Sequence, residues 1–227
     1  GYPEERISIL MNSTDTELLR ETRTGMGPDQ IRELRQRSGI GEGPVGLYLG
    51  AMDPIKHLPY LLEAARHIHR MLPAFELMMI GAGPELPALR ETTAGDPWIH
   101  WIPPQFGQAK ARFMMLANVC LIPAWVGLGI VDAFALGLPL VTTDAFPHSV
   151  EVDYLEHDTN GWMVSGHPTP RDYGEAAAGL LQAPGKLEHL RRGCLASAER
   201  LTMPAMVDRF TEGILRALDA PPLHARS

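Results

Sequence analysis

Short apolar runs recur along the chain and alternate with longer segments in which apolar residues have helical spacing. The clearest apolar runs cover residues 45–49, 75–80, 98–102, 119–122, 140–142 and 161–164. Runs of this length without polar alternation are typical of strands whose two faces are both covered. Because helical segments such as residues 58–72 separate them, the pattern predicts an α/β fold with a parallel sheet and helices on both faces.

The two ends of the chain differ from this regular middle. Residues 6–10 form another short apolar run, which predicts a strand, and the turn-forming residues 12–15 follow it. A polar helix is predicted from Pro28, because proline suits the first turn of a helix. The chain starts at Gly1 and enters structured-looking sequence at once, so we expect a fragment of a longer protein. Residues 220–227 are expected to form a frayed tail.

The stretch from Leu121 to Val164 organises the rest of the chain. Its first apolar run ends at Pro123, a turn with Gly127 and Gly129 opens an apolar helix, and Gly137 closes that helix before the next apolar run. This order predicts a βαβ unit. Glycines at such a turn let a ligand approach the backbone, and the helix start offers unpaired N–H groups, so we expect a phosphate there. The alternative is that these glycines only shape the turn.

Two other strand ends carry glycine-rich loops. Gly50 ends one apolar run, and Lys56 follows closely enough to reach over the sheet edge towards a phosphate. Gly81 and Gly83 end the next run in half of a dinucleotide-binding fingerprint, so a tight turn is favoured and ligand proximity is secondary. Parallel sheets bind ligands at the carboxyl ends of their strands, which makes both loops candidates. The alternative for Lys56 is a solvated side chain near a helix start.

Asp132 and Glu151 are the candidate polar side chains of the same region. A carboxylate accepts two hydrogen bonds from a vicinal diol and therefore suits a sugar, whereas acids at helix starts also act as caps. His148 lies close to Glu151 in the chain. Its side chain could act as an acid or base, and the alternative is that it only forms a structural hydrogen bond. The sequence offers no Ser/His/Asp or Cys/His arrangement and no metal-ligand pattern. We therefore expect no metal and find no obvious nucleophile.

Composition narrows the classes of partner. The formal charge of −7 is spread without a dense Lys/Arg block, which disfavours nucleic acid and anionic membrane surfaces. Cys120 and Cys194 lie far apart, and Cys120 sits in an apolar run, where it is interpreted as a buried small hydrophobe. No apolar run is long enough to span a membrane. A reducing compartment, the cytoplasm, is therefore expected.

Taken together, these segments resemble the C-terminal, donor-binding half of a GT-B glycosyltransferase of the retaining group 1 (family 4) type. The family pattern G-R-L-x-x-x-K-G is matched by Gly50–His57, and G-x-G-P by Gly81–Pro84. The signature P-S-x-x-E-G-F-G-x-x-x-x-E-A-x-A-x-G-x-P-V-V-x-T is echoed by Pro123–Thr142, and Glu151 and Asn160–Gly161 suit later positions. The resemblance covers most of the chain, and the order and spacing of the motifs carry it together.

The chain departs from the family pattern at its charged positions. Ala51 stands where the family has a diphosphate-binding Arg, so only Lys56 remains of that pair. The first Glu of the family's pair, which contacts the donor sugar, has no counterpart, and the loop before Gly129 is shortened. Asp132 stands for the second Glu and still suits ribose hydroxyls. This segment resembles a bacterial subgroup that lacks the first Glu, which favours a variant donor site over loss of activity.

The resemblance implies a Rossmann-like sheet of about six parallel strands, the C-terminal half of a GT-B fold. Residues 1–27 would be the interdomain linker and the end of an N-terminal domain, residues 28–219 the nucleotide-sugar-binding domain, and residues 220–227 the tail. The implied activity is hexosyl transfer from a nucleotide-diphosphate sugar to an unknown acceptor, in bacterial glycan or glycolipid synthesis. This chain alone would bind the donor but transfer sugar poorly or not at all.

The resemblance also assigns roles to residues. The diphosphate would rest on the start of the helix after the glycine turn, near Lys56, with the ribose on Asp132 and the base against the loop at residues 102–104. The implied donor-binding residues are Gly50, Lys56, Gly81, Ile102, Pro103, Gly127, Leu128, Gly129, Ile130 and Asp132, with His148 and Glu151 as secondary candidates. No cofactor or metal is expected besides the nucleotide sugar. A sugar or lipid-linked acceptor would bind the missing N-terminal domain, and the full-length protein would associate peripherally with a membrane.

Two alternatives stay open. One is a sugar-nucleotide epimerase or a glycan phosphorylase with the same fold. The other is a non-catalytic domain that binds a nucleotide sugar or mediates assembly, which Ala51 and the missing Glu favour. The sequence does not determine the base, the donor sugar, the acceptor, the stereochemical outcome or the oligomeric state.

Overall fold

The centre of the molecule is a six-stranded sheet in which every neighbouring pair of strands is parallel. The structure is a computed structural model that describes residues 6–220. The strands are β1 (Val45–Leu49), β2 (Glu76–Ile80), β3 (Ile99–Ile102), β4 (Val119–Leu121), β5 (Leu140–Thr143) and β6 (Gly161–Val164), in the order β3-β2-β1-β4-β5-β6. The order reverses between β1 and β4, and at such a point the loops at the carboxyl ends diverge and leave a crevice.

Helices cover both faces of the sheet. They are α1 (Glu17–Gly25), α2 (Pro28–Arg37), α3 (Leu58–Met71), α4 (Leu86–Thr92), α5 (Gly107–Met114), α6 (Gly129–Ala135), α7 (Pro170–Leu181), α8 (Pro184–Ala198) and α9 (Met203–Asp219), with short 3₁₀ turns at Pro54–Lys56 and Val150–Tyr154. The helix pairs that pack most extensively are α3 with α7, α1 with α5, and α6 with α8. The predicted fold class, a Rossmann-like α/β sheet of parallel strands, is confirmed.

The apolar runs of the sequence form the core. All residues of β4 and β5 are buried, as expected for central strands between two helix layers. Cys120 is buried in β4, and this burial raises the pKa of its thiol to about 12. Tyr173 is also buried, and its hydroxyl donates to the Val141 carbonyl at 2.7 Å, which satisfies the one polar atom of that side chain.

The ends of the chain depart from the sequence predictions. Residues 7–10, predicted as a strand, form no strand. Residues 17–25, for which no element was predicted, form α1, which packs against α5 and buries Leu19. The segment after His148 forms the 3₁₀ turn Val150–Tyr154. Parts of the predicted linker and tail, residues 1–5 and 221–227, lie outside the described residues.

Two glycine loops fasten the carboxyl ends of β1 and β2 to each other. The Gly50 amide donates to the Ile80 carbonyl at 3.1 Å, and the Met52 amide donates to the Ala82 carbonyl at 2.9 Å. A Cβ added at Gly81 would overlap the Gly50 carbonyl oxygen. The sequence therefore needs glycine at position 81 because two backbones approach each other there.

We expect Gly81→Ala to lower the free energy of unfolding by about 1–3 kcal/mol, because rigid backbone must shift to admit the methyl group. Urea unfolding followed by circular dichroism measures the change. Gly179→Ala is the matched control, since an added Cβ on this exposed helical glycine meets nothing within 4 Å, and it should stabilise the protein by about 0.4–1 kcal/mol. Equal unfolding midpoints for the two variants would contradict the prediction.

Candidate functional site

A cavity of about 420 Å³ opens at the carboxyl ends of the strands, beside the reversal of strand order. Its walls are the ends of β1 and β2 with their loops, the loop after β3, and the first turns of α5 and α6. Four of the predicted donor-binding residues line it, namely Gly50, Gly81, Gly129 and Asp132. Ala51, at the position of the family arginine, and Pro104, of the loop predicted to meet the base, also line it. Residues not singled out in the sequence complete the lining, namely Leu49, Ile80, Ala82, Gln105, Phe106 and Lys110.

The glycine turn before α6 is open to the surroundings. A Cβ added at Gly129 would meet nothing within 4 Å, and one at Gly127 would meet only the Ser149 hydroxyl, at 3.8 Å. The Ile130 amide donates to the Gly127 carbonyl at 3.0 Å, so this amide is already used within the turn. The backbone that remains for a ligand is that of residues 127–129, with Leu128 capping the helix.

Asp132 lies in the first turn of α6, and its side chain is held from two sides. The Thr14 hydroxyl donates to Oδ1 at 2.9 Å, and the Lys110 ammonium donates to Oδ2 at 2.8 Å. The carboxylate is 8% exposed and the lysine side chain 25%. Three separate parts of the chain therefore meet at this carboxylate: the segment before α1, helix α5 and helix α6.

Lys56 ends the 3₁₀ turn after β1 and points towards the loop that precedes the glycine turn. Its Nζ donates to the Trp125 carbonyl oxygen at 2.8 Å. Burial lowers the pKa of Lys56 from its ordinary value, and the nearby Asp53 opposes this shift. Among the described residues, Lys56 is not part of the cavity lining, so the ammonium group lies beside the turn rather than within the cavity.

The two candidate side chains in the loop after β5, His148 and Glu151, form hydrogen bonds with other groups of the protein. His148 accepts at Nδ1 from the Val126 amide, at 3.2 Å, and its Nε2 lies 2.7 Å from the Thr143 carbonyl. Glu151 is buried and accepts from Asn12 at 3.2 Å and from the Ser149 hydroxyl. The Ser149 hydrogen bond is the main cause of the lowered pKa of Glu151; burial opposes it, and a backbone hydrogen bond and the one from Asn12 add smaller contributions. Both side chains thereby fix the loop that supports Val126.

Two backbone carbonyls of the loop predicted to meet the base, residues 102–104, accept hydrogen bonds within the protein. The Gly81 amide donates to the Ile102 carbonyl at 3.2 Å, and the Gln105 side chain donates to the Pro103 carbonyl at 2.9 Å. The wall that faces the cavity is instead formed by Pro104, Gln105 and Phe106, and Phe106 is 80% exposed. Pro104 of the predicted loop 102–104 thus lines the cavity together with the two residues that follow it.

Sequence reasoning missed Lys110 and Thr14, the two partners of Asp132. Lys110 lies in a helical segment, and Thr14 lies in a polar cluster that predicted only a turn or cap. Nothing local distinguishes either residue, because the contacts arise from the packing of α5 and of the segment before α1.

Residues 6–220 place no group of three or more His, Cys, Asp and Glu side chains where it could hold a metal ion. No helix in this range is both long and apolar enough to cross a membrane.

Residues 43–183 match the model of the family described as Glycosyl transferases group 1. D-inositol 3-phosphate glycosyltransferase 2 of Catenulispora acidiphila is 27% identical over 241 residues, which cover 96% of this chain and 54% of that protein. Alpha-D-kanosaminyltransferase of Streptomyces kanamyceticus is 25% identical over 201 residues, which cover 82% of this chain and 49% of that protein. The chain thus spans about half the length of these curated relatives.

Solved structures share the fold at low sequence identity. Anabaena Alr3699/HepE in complex with UDP superposes with a TM-score of 0.75 at 16% identity, covering 89% of this chain and 56% of that one. WaaG, a glycosyltransferase involved in lipopolysaccharide biosynthesis, superposes with a TM-score of 0.72 at 18% identity, covering 94% of this chain and 57% of that one. At these identities the likeness establishes the fold.

The lowered pKa of Glu151 predicts a pH dependence of stability. A carboxyl group whose pKa is lower in the folded protein stabilises it above the ordinary value of 4.5, and this stabilisation is lost as the pH falls through the lowered pKa. Urea unfolding at a series of pH values measures the effect. The difference in unfolding free energy between wild type and Glu151→Gln should be largest above pH 4.5 and should decrease below it.

Ser149→Ala is the matched control, because it removes the main hydrogen bond to the Glu151 carboxylate. In that background the folded-state pKa of Glu151 is closer to 4.5, so the pH-dependent part of the difference in unfolding free energy should be smaller and its loss should be complete at a higher pH. If the difference in unfolding free energy between wild type and Glu151→Gln does not vary with pH, the prediction is wrong.

Proposed function

The chain belongs to the glycosyl transferases group 1 family, and from this premise we propose that it binds the nucleotide-diphosphate sugar of a sugar-transfer reaction. The observation that carries the proposal is the cavity beside the point where the strand order reverses. Its lining includes the glycine loops after β1 and β2 and the first turn of α6, with the Asp132 carboxylate. Crevices at this point of open parallel sheets are the usual ligand sites. The solved complexes of Alr3699/HepE with UDP and with UDP-glucose support a nucleotide sugar as the ligand class.

The donor diphosphate would lie against the backbone of residues 127–129. This turn admits an approaching ligand because it carries no side chain at two of its three positions. The Lys56 ammonium, bonded to the Trp125 carbonyl directly before the turn, would exchange that contact for a phosphate oxygen. Stabilising the negative charge that develops on the departing diphosphate is the catalytic contribution of such a site, and it needs no metal.

The ribose would bind at Asp132. Each carboxylate oxygen has two lone pairs, and the bonds from Thr14 and Lys110 use one on each. The remaining lone pairs can accept from both hydroxyls of a ribose diol. The base would then extend along the wall formed by Pro104, Gln105 and Phe106.

The chain would be the C-terminal half of a family 4 enzyme of the GT-B type, with residues 1–27 leading from an N-terminal half. Helix α9 supports this arrangement, because exposed apolar side chains lie along it at helical spacing, namely Met203, Val207, Phe210, Ile214 and Leu218. The other half would bind the acceptor, so this chain alone would bind donor and transfer little sugar. The complete enzyme would be a cytoplasmic hexosyltransferase of bacterial glycan or glycolipid synthesis.

A second function is favoured by one observation. Ala51 lines the cavity where the family pattern has a diphosphate-binding arginine, which weakens the anion site. A non-catalytic domain that binds a nucleotide sugar weakly, or that serves assembly, would tolerate this loss.

Calorimetric titration with UDP-, GDP- and ADP-sugars tests the proposal. We expect one of the three to bind with a dissociation constant of about 1 mM or below, at roughly one ligand per chain. A folded chain that binds none of them would instead support the assembly function.

Lys56→Ala should weaken binding of that nucleotide sugar about tenfold or more, because a charge-assisted hydrogen bond is lost. Binding of the corresponding nucleoside should not change, since it lacks the diphosphate. Lys186→Ala is the matched control: it removes the same charge from α8, outside the cavity lining. If Lys56→Ala and Lys186→Ala bind the nucleotide sugar with equal affinity, Lys56 does not contact the diphosphate.

The lowered pKa of Lys56 predicts how binding varies with pH. The ammonium is lost at a lower pH than for a lysine with the ordinary value of 10.5, so affinity for the nucleotide sugar should fall as the pH rises through the lowered pKa. Titrations between about pH 7 and about pH 10 measure the fall. It should be absent in Lys56→Arg, whose guanidinium stays charged throughout this range; an identical fall in both proteins would contradict the assignment.

A further inference from the structure

We propose that Lys110 is a positioning residue for the ribose: it holds the Asp132 carboxylate in the orientation that accepts the diol. The inference rests on the proposed nucleotide site and adds a determinant of its specificity for ribose. Position 110 is not part of the motifs through which the chain resembles its family, so the inference depends on geometry alone.

Two hydrogen bonds restrain the Asp132 carboxylate. Asp132 accepts at Oδ1 from Thr14 and at Oδ2 from Lys110, at 2.9 and 2.8 Å. Rotation of the carboxylate about its Cβ–Cγ bond would break both hydrogen bonds, so the two donors fix its plane. A diol requires a fixed plane, because its two hydroxyls must meet two acceptors at once.

Lys110 also balances the charge of the Asp132 carboxylate. The Asp132 side chain is 8% exposed, and a carboxylate at that depth loses most of its hydration. Lys110 is the one cationic side chain that lines the cavity among the described residues, and its ammonium compensates this loss by direct contact. The pair also keeps the carboxylate from repelling a diphosphate bound at the neighbouring glycine turn.

Lys56 and Lys110 contact different parts of the proposed site. Lys56 contacts the Trp125 carbonyl next to the turn, whereas Lys110 lies in α5 and contacts the carboxylate from within the cavity lining. Each therefore serves a different part of a nucleotide. Loss of Lys56 should affect the diphosphate, and loss of Lys110 should affect recognition of the sugar hydroxyls.

The experiment compares the affinities of UDP and 2′-deoxy-UDP by calorimetry, and repeats the comparison with the GDP and ADP pairs. Wild type should prefer the ribonucleotide of the base it binds by about tenfold, the value of one hydrogen bond to a charged acceptor. In Lys110→Met this ratio should fall to within about threefold of unity, and in Lys110→Arg it should be largely restored because the ion pair is kept. Lys186→Met, which removes the same charge from α8, should keep the wild-type ratio.

Lys110→Met leaves a buried carboxylate without its cation and is a candidate for poor folding. The double variant Lys110→Met/Asp132→Asn removes both charges, and it should fold and discriminate no better than Asp132→Asn alone. If the double variant prefers the ribonucleotide over the 2′-deoxyribonucleotide more strongly than Asp132→Asn does, the inference is overturned.

Three outcomes separate this inference from the function on which it rests. If wild type binds no nucleotide, the proposed function fails and the inference fails with it. If wild type binds both nucleotides equally, Asp132 does not read the diol and the inference is wrong. If wild type discriminates and Lys110→Met discriminates equally, or loses affinity for both nucleotides in the same proportion, the nucleotide site stands and the role of Lys110 is refuted.

Discussion

The burial of every central strand on both faces is the constraint on which the rest of this structure depends. Residues of β4 and β5 are fully covered by helices, so their backbone groups have no contact with ligands except at the strand ends. The strand order reverses between β1 and β4, which leaves the crevice at one place along the carboxyl edge. The position of the cavity therefore follows from the topology, and its side chains decide what can bind there.

Local patterns predicted the parts of the structure that local sequence determines. The apolar strands and the glycine turn before α6 are examples, because each depends on residues that are adjacent in the chain. Residues 6–10 show the limit of this reasoning, since Ile7 and Ile9 are exposed and residues 7–10 pair with no strand of the described part of the chain. The sequence located Asp132 by its motif but not its partners, which lie 118 and 22 residues away. Such contacts are set by helix packing, which no periodicity encodes.

Two lysines hold defined positions at the proposed site. The chain carries a net charge of −7, yet Lys110 lines the cavity and Lys56 contacts the Trp125 carbonyl next to the glycine turn, whereas Ala51 adds no third cation. Both ammonium groups already bind protein oxygens, the Trp125 carbonyl and the Asp132 carboxylate. Their side chains are therefore ordered before a ligand arrives, which reduces the conformational entropy lost on binding.

The chain contains only three lysines, at positions 56, 110 and 186, and two of them belong to this region. Amine-selective acylation would thus modify few places on the protein. The lowered pKa of Lys56 leaves more of its amine unprotonated at a given pH, and the unprotonated amine is the form that attacks an acylating reagent. Peptide mass mapping after a brief reaction would show how much of Lys56 is acylated. A ligand bound beside Lys56 should lower that fraction, so the measurement reports occupancy of the site without any labelled sugar.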